Sequence, residues 1–541
     1  MSATSHLLET PLFKQQWHTL TETEQLQASY DRAREIGRAY KFTLSDSLHL
    51  TPEFWAFHRD NICAFDIAAF SLVTIQCNLV AGTLGLLDRV FNFDVNAQFL
   101  LTELGHGLDA KHLETTAMLL ADGSFDLHTP HAYAAKFMPP TSPIRGHPRV
   151  GLVFAKLIVG DEDRGVRPFI VHINDGTRMS VGITSRVMPR HVGSKMVDHS
   201  ITTFNHVKLP SSALLGTLDK PTNTRANFPS VISRISVGTL AISSAMIPVL
   251  KRCVFVAGKY SLRRTIHGPD GTPIPIISFR TQQIPILHTL AQIAVFEAWL
   301  LEATERFRDT GLEASMRHGI ATCFKATVVK STQESLYTLA ERCEAQGLYE
   351  HNHIIESQLE CRGISISEGD VLTICIRLAS ELLLGRKPLA KHERAVFAES
   401  RESLKTMRGG HRSNEFNRTL LPRCQFLVES LGQRMAYEAA QSAGVPHFLL
   451  DIYEAGAIRG DSAWYAEQGG LSREMQLARE AEALDAAAPM IEELLDGLGV
   501  AEYCTAPVLS GGLMESFHDG LERMEEEGGR GERGLWLRTI G

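Results

Sequence analysis

No two of the nine cysteines fall in a CxxC spacing; they stand singly at 63, 77, 253, 323, 343, 361, 375, 424 and 504. An odd, unpatterned set argues against a disulfide frame and a zinc site, and for reduced thiols in an intracellular compartment. A basic excess is missing as well: 54 Lys and Arg against 62 Asp and Glu leave a net charge of -8. That balance offers nothing to nucleic acid or an anionic membrane, so an anionic ligand needs a local basic cluster. Long apolar runs are also interrupted. The most apolar stretch, 64–87, is broken by Asp66, Gln76 and Asn78, and reads as buried helix rather than a membrane span. Met1 to Trp17 has no charged segment followed by an apolar core, which predicts no secretory signal. The ending Arg538-Thr539-Ile540-Gly541 does not match an SKL-type peroxisomal address. The expected location is intracellular, cytoplasmic or peroxisomal.

Common catalytic signatures are absent: no GxxxxGKS/T, HExxH or GxSxG occurs. One GxGxxG match, Gly529 to Gly534, lies in a charged, Gly-rich tail (Met524 to Gly534) with no strand before it, and is read as chance. There is no repeat of 20–50 residues. No βαβ alternation is visible, which argues against a doubly wound nucleotide-binding sheet.

What is present is the composition of a soluble globular chain, 44% hydrophobic and 21% charged over 541 residues. At roughly 150 residues per domain this length predicts about three or four domains. Residues 1–120 carry helical patterns, including Glu22 to Arg38 and a segment through Phe54, Trp55 and Phe57 with Pro52 in its first turn. From 121 to 217 Gly and Pro become frequent. Val150 to Val159, Arg167 to Ile173 and Ile201 to Lys208 read as strands, with a turn at Gly160-Asp161-Glu162-Asp163, predicting a small antiparallel barrel or sandwich. Helical patterns return over Val231 to Ala257, Gln282 to Arg306 and Ile320 to Gln346, with a loop at His267 to Pro275. A further helix runs from Val371 to Leu384 and stops at Gly385, and residues 415–500 read as helical.

Three constellations can carry chemistry. Leu101-Thr102-Glu103-Leu104-Gly105-His106-Gly107 brackets a histidine with glycines, which let backbone approach a flat ligand. A helix end capped by Gly105 is the plainer reading. Tyr260 to Arg264 and Phe279 to Gln283 place Arg263, Arg264 and Arg280 on either side of the His267 to Pro275 loop. Guanidinium forks suit phosphate oxygens, and the segment reads equally as a solvated basic helix end and a loop. Ser365 to Asp370 directly precedes the apolar helix at Val371. Ser367 with Asp370 fits a capping-box variant, which would put Glu368 on a fixed, dipole-favoured turn beside Gly369. That suits a general base, although a cap alone accounts for the pattern.

In this order the segments resemble the acyl-CoA oxidases and acyl-CoA dehydrogenases, most closely the oxidase branch. Thr102 to Gly107 is similar to a TE-L/M-GHG flavin motif continued by Leu113 to Ala117. Ile201 to Pro210 resembles the strand and proline that close the family's β-domain. Tyr260 to Arg264 and Phe279 to Gln283 resemble YS-x-RR and FRTQQ, and Glu368-Gly369-Asp370 resembles the catalytic turn. Asp451 to Glu454 and Asp461 to Tyr465 are similar to the oxidases' extra C-terminal domain. The resemblance spans roughly residues 20–510.

It implies a mainly α, α+β fold. The expected parts are an N-terminal helical domain (1–120), a central antiparallel β-barrel domain (121–217), a helical flavin and substrate domain (218–400) and a C-terminal helical domain with a loose tail (401–541). It implies FAD in a homodimer and an acyl thioester substrate, CoA-linked, with no nucleic acid, no metal and no membrane span. Thr102 would hydrogen-bond the flavin near Gly105 and Gly107. Arg264 or Arg263, with Gln282 or Gln283, would reach the partner subunit's FAD, and Gln346-Gly347 falls at the family's GGHG turn. Glu368 would remove the substrate α-proton, and oxygen would reoxidise the flavin. Two segments depart from the pattern. Lys136-Phe137-Met138-Pro139-Pro140-Thr141-Ser142-Pro143 stands where the family has WPGGLGK, and the GGHG turn keeps only Gly347, with Glu344 adding charge. One expectation is therefore an enzyme specialised for a secondary-metabolite acyl group. The alternative is a flavin-free relative that uses the scaffold for binding.

Overall fold

The computed structural model describes residues 2–84, 88–191, 195–309, 311–384 and 391–521. The stop at Gly385 and the tail with its GxGxxG match lie outside these residues.

The N-terminal segment is helical up to Phe91. Helix α1 (Glu22–Tyr40) starts with a capping box in which the Thr21 hydroxyl accepts from Glu24 N while Glu24 accepts from the Thr21 backbone. Pro52 opens the short helix Pro52–His58 at its first position, where its missing N–H costs nothing. Helix α2 (Ile67–Thr74) is buried nearly throughout, and runs into a π-helical turn, Ile75–Val80, that contains Asn78. Such turns widen the helix by one residue and often mark functional sites.

The β region begins at Asn96, earlier than its Gly and Pro texture suggests. Strands β1 (Asn96–Leu100) and β2 (Thr116–Leu119) precede residue 121. β1 is tied to the π turn, because Gln76 accepts from Ala97 N at 2.9 Å and donates to Val90 O at 2.6 Å. Strands β3 (Phe125–His128), β4 (Lys136–Pro140), β5 (Arg149–Val159), β6 (Glu162–Asn174), β7 (Ile183–Val187), β8 (His199–Phe204) and β9 (Val207–Leu209) follow. They form two sheets, one with β5 at its centre and the other in the order β4-β8-β7. The pairing is mixed: β5 runs parallel to β1 and β2 and antiparallel to β6. The stretch read as one strand over Ile201 to Lys208 is two, β8 and β9, separated at His206, whose φ of 52° turns the chain.

The remaining chain is a helical assembly. The run read as one helix over Val231 to Ala257 is α3 (Arg234–Ser244) and α4 (Met246–Arg263), meeting at Ala245. The loop at His267 to Pro275 contains a small hairpin, Thr265–His267 against Pro273–Pro275. Helices α5 (Arg280–Arg308), α6 (Ala314–Arg342), α7 (Ile354–Ile366) and α8 (Val371–Leu383) follow. α6 is the axis, packing against α3, α4, α5, α7, α8 and the Cys424–Ser442 helix. Its segment Ile320–Val329 is therefore buried on every side, including Lys325. The Arg234–Arg263 and Arg280–Arg308 segments are long and apolar enough to cross a membrane by composition, but most of their apolar surface is covered by these neighbours. All nine cysteines are free and buried.

Candidate active site

Glu368 stands on the turn between α7 and α8. The cap of α8 is Asp370 alone, whose carboxylate accepts from Thr373 N at 3.0 Å. Ser367 ends α7 and donates to Gly363 O, so the expected Ser367–Asp370 box does not form. Glu368 accordingly precedes the helix instead of occupying its first turn. Glu368 and Gly369 take consecutive left-handed conformations, φ 51° and 99°. For a residue with a Cβ this costs about 1 kcal/mol, so neighbouring contacts must hold it.

Those contacts come from α3 and α6. Lys325 Nζ donates to Ser367 O and to Gly369 O, the latter at 2.7 Å, and Thr239 Oγ1 donates to Glu368 O at 2.7 Å. The carboxylate turns inward over Gly238: a Cβ there would sit 1.1 Å from Glu368 Oε2. Asn78 Nδ2 lies 3.5 Å from the same oxygen. Asn78 is itself held by Arg234, whose Nη2 donates to Asn78 Oδ1 at 2.8 Å and whose Nε donates to Asn78 O at 3.0 Å. Gly82 leaves room for this guanidinium, since a Cβ there would fall 2.3 Å from Arg234 Nε. Burial pushes the Glu368 carboxyl up to about 8 against the opposing pull of Lys325 and Arg234. Burial likewise lowers Lys325 to about 8 and Arg234 to about 10, each partly restored by Glu368. The result is a desolvated carboxyl titrating near neutrality between two cations, an arrangement suited to abstracting a weakly acidic proton.

Only Glu368 of this group stood out in the sequence. Asn78 was visible as a polar interruption of an apolar run. Lys325 and Arg234 carry the same kind of signal, a charge inside or at the start of an apolar helix.

Thr102, Gly105 and Gly107 lie in the loop after β1, not at a helix end. Leu104 N donates to Ala135 O and Gly105 N to Tyr133 O, at 2.9 and 2.8 Å. Gly105 answers to this close approach, as a Cβ there would meet Tyr133 at 3.1 Å, whereas Gly107 has open space around it. Glu103 and Lys136 form a fully buried ion pair at 3.0 Å. Glu103 also accepts from Glu114 N and Thr115 N, while Lys136 donates to Leu101 O and Phe154 O. Burial raises Glu103, but Lys136 and the hydrogen bonds outweigh it and hold the carboxyl low. This pair pins the Thr102 loop to β4. The Thr102 carbonyl accepts from Phe137 N at 3.0 Å, and no hydrogen bond to its half-buried hydroxyl occurs among the described residues.

The Pro139 to Pro143 segment is anchored. β4 pairs with β8 up to Pro140 with a register shift after Met138, whose φ is 77°. Thr141 shares hydrogen bonds with Ser185 and Thr202, its carbonyl accepts from Asn174, and Ser142 N donates to Asp198 at 3.1 Å. Side chains of the β region thus replace the backbone bonding that the prolines lack.

Arg263 and Arg264, at the end of α4, line a cavity of about 340 Å³ with Tyr260, Thr265, Glu344 and Gln346. Arg263 Nη2 donates to Val508 O at 2.7 Å. Gly347 is required by packing, since a Cβ there would fall 2.0 Å from Ala340 O. Glu344 holds a φ of 54°. Gln282 and Gln283 open α5 and do not line this cavity; the Gln282 Oε1 is buried without a partner. Among the described residues no group of three His, Cys, Asp or Glu is arranged to hold a metal ion.

No family model matches the chain. It is 27% identical over 348 residues to human peroxisomal acyl-coenzyme A oxidase 3, covering 59% of this chain and 49% of that one. It is 27% identical over 322 residues to the peroxisomal acyl-coenzyme A oxidase 2 of Arabidopsis thaliana, covering 55% and 46%. The aligned segments therefore span about half the length of these relatives. Among solved structures, acyl-CoA oxidase 1 of Yarrowia lipolytica superposes with a TM-score of 0.78 at 17% identity, covering 98% of this chain and 90% of that one. Acyl-CoA oxidase-2 of Caenorhabditis elegans, solved with FAD, ascaroside-CoA and ATP, superposes with a TM-score of 0.70 at 17% identity, covering 93% and 92%.

Proposed function

We propose that the chain is a divergent member of the acyl-CoA oxidase family and an FAD-dependent oxidoreductase that desaturates an acyl thioester between its α and β carbons. The observation carrying this reading is the buried Glu368 between Lys325, Arg234 and Asn78. A thioester α-C–H is a weak acid, and a carboxylate titrating near 8 is matched to it at neutral pH far better than an ordinary one.

The residues present fit FAD in three respects. Arg263, Arg264 and Gln346 converge on one cavity, Gln282 offers an orphaned buried acceptor, and the Thr102 hydroxyl is uncommitted. When bound, FAD supplies the acceptor for the β-hydride, and oxygen accepts the electrons thereafter. Thr102 and the loop through Gly105 and Gly107 would hold the ring. Arg264, Arg263, Gln282, Gln283 and the Gln346-Gly347 turn would hold the cofactor of a partner subunit in a homodimer. Glu368 takes the α-proton, and the buried setting keeps water away from it. The substrate is taken as CoA-linked and the compartment as peroxisomal or cytoplasmic, in keeping with the relatives. One observation favours a second reading, a flavin-free binding scaffold: Glu344 places a carboxylate in the arginine cavity, where it opposes an anion.

The absorption spectrum of the purified protein separates the two. Oxidised-flavin bands, with hydrogen peroxide released from an acyl-CoA panel, support the enzyme. A colourless protein that FAD does not reconstitute supports the scaffold. With prolines replacing the glycine segment, turnover should be weak on palmitoyl-CoA and better on a branched or cyclic acyl group. Efficient, chain-length-ordered turnover of straight fatty acyl-CoAs would show that the replacement is neutral.

Arg264→Ala is expected to lower FAD content and melting temperature together, because a ligand spanning two subunits stabilises both its site and the dimer. Flavin content, thermal melting and sedimentation check this. A fully flavinated monomer contradicts it.

A further inference from the structure

The turn that carries Glu368 presents three successive carbonyls, and a side chain of the helical core takes each of them. Lys325 takes those of Ser367 and Gly369, and Thr239 takes that of Glu368. Two successive left-handed residues would not hold this shape unaided. Lys325 itself is an anomaly. It is fully buried on the central helix α6, inside the apolar segment Ile320–Val329, and among the described residues it forms no ion pair. A buried ammonium is costly unless its environment uses the charge, and among the described residues its only hydrogen-bond partners are the two carbonyls beside Glu368.

We propose that Lys325 is a positioning residue for the base: its buried ammonium locks the left-handed turn by binding the carbonyls on either side of Glu368, and it supplies a positive charge that the carboxylate faces. This rests on the reading of Glu368 as the base. The other groups facing Glu368 are Arg234 from α3 and Asn78 from the π turn, while Asp370 and Cys375 act electrostatically on Lys325 from the turn and α8. Lys325 therefore has two separable effects. As a donor it fixes where the carboxylate points. As a cation it favours the ionised carboxylate, which is the form that accepts a proton.

The test uses the full chain with its flavin content measured, and two substitutions. Lys325→Gln keeps a donor and removes the charge; Lys325→Met removes both. The first readout is the Glu368 carboxylic-acid stretch in infrared difference spectra against pH, with Glu368→Gln assigning the band. The second is the pH profile of kcat and KM. The native band should titrate near 8, and kcat should rise with pH through the same range as the base loses its proton. In both Lys325 variants the titration and the acid limb should move upward by about one pH unit or more. kcat at neutral pH should fall about tenfold in Lys325→Gln and further in Lys325→Met, with KM little changed, as lost orientation predicts.

A folded Lys325→Gln protein with native titration and native kcat overturns the proposal. So does a Lys325→Gln chain that fails to fold, which would assign Lys325 to the core alone. If Glu368→Gln keeps its turnover, the base reading fails instead, and the infrared shift still reports on Lys325 because it needs no turnover.

Discussion

Glu368→Gln should retain flavin and fold yet lose turnover by about 10²-fold or more, the range for one general acid–base group. The amide keeps the shape of the side chain and its approach to Asn78 but has no basic oxygen. Folding should not suffer. Burial already favours the uncharged form of this carboxyl below about 8, so the neutral amide asks nothing new of the site. Stopped-flow flavin reduction and peroxide release, alongside flavin content, check this result. Near-native turnover would remove Glu368 from the chemistry and leave the turn as a helix boundary.

The second large effect is expected at a residue with no chemistry of its own. Gly238 lies inside α3 with ordinary helical dihedrals, where alanine is intrinsically preferred by roughly 1 kcal/mol. Propensity alone therefore predicts that Gly238→Ala stabilises the protein. The structure predicts something different for activity, because the added methyl would occupy the place of Glu368 Oε2, 1.1 Å away. The carboxylate is the far end of a rotatable side chain, so it moves aside and the helix does not. Displacement by an ångström or more from its working position costs about 10²-fold in rate. The expected result is a melting temperature unchanged or slightly raised, native flavin content, and turnover lowered about as far as in Glu368→Gln. Native turnover would show that the base works from another rotamer.

The two variants differ in what they leave behind. Glu368→Gln removes the base, and no pH restores it. Gly238→Ala leaves a carboxylate that has been moved out of contact with Asn78, so its residual rate should still rise with pH.

Local features of the fold could be read from the chain because neighbouring residues decide them. The helix over Glu22 to Arg38, Pro52 at a helix start and the strand at Val150 to Val159 follow from helix formers, first-turn geometry and a short β-rich apolar run. The order of helices, β region and helices followed from the same patterns, as did the position of Glu368 on a turn before an apolar helix. Structure departs from local pattern where distant parts of the chain intervene. β1 and β2 have little strand texture of their own and form because β5 lies between them, offering parallel partners to both. The Ser367–Asp370 box fits the spacing but fails, because α7 keeps the Ser367 hydroxyl and Lys325 takes its carbonyl.

The sequence by itself determined that a carboxylate, a glycine and a cap stand together at 368–370, and that arginines and glutamines flank the hairpin after α4. Tertiary structure alone decided what that carboxylate is. Its proton affinity depends on desolvation and on charges brought from residues 78, 234 and 325, each far away along the chain. Coulomb interaction and burial depend on distance in space, and no local pattern encodes them. The glycine that makes room for the base shows the same division: at 238 it is an unremarkable helical residue until another segment folds against it.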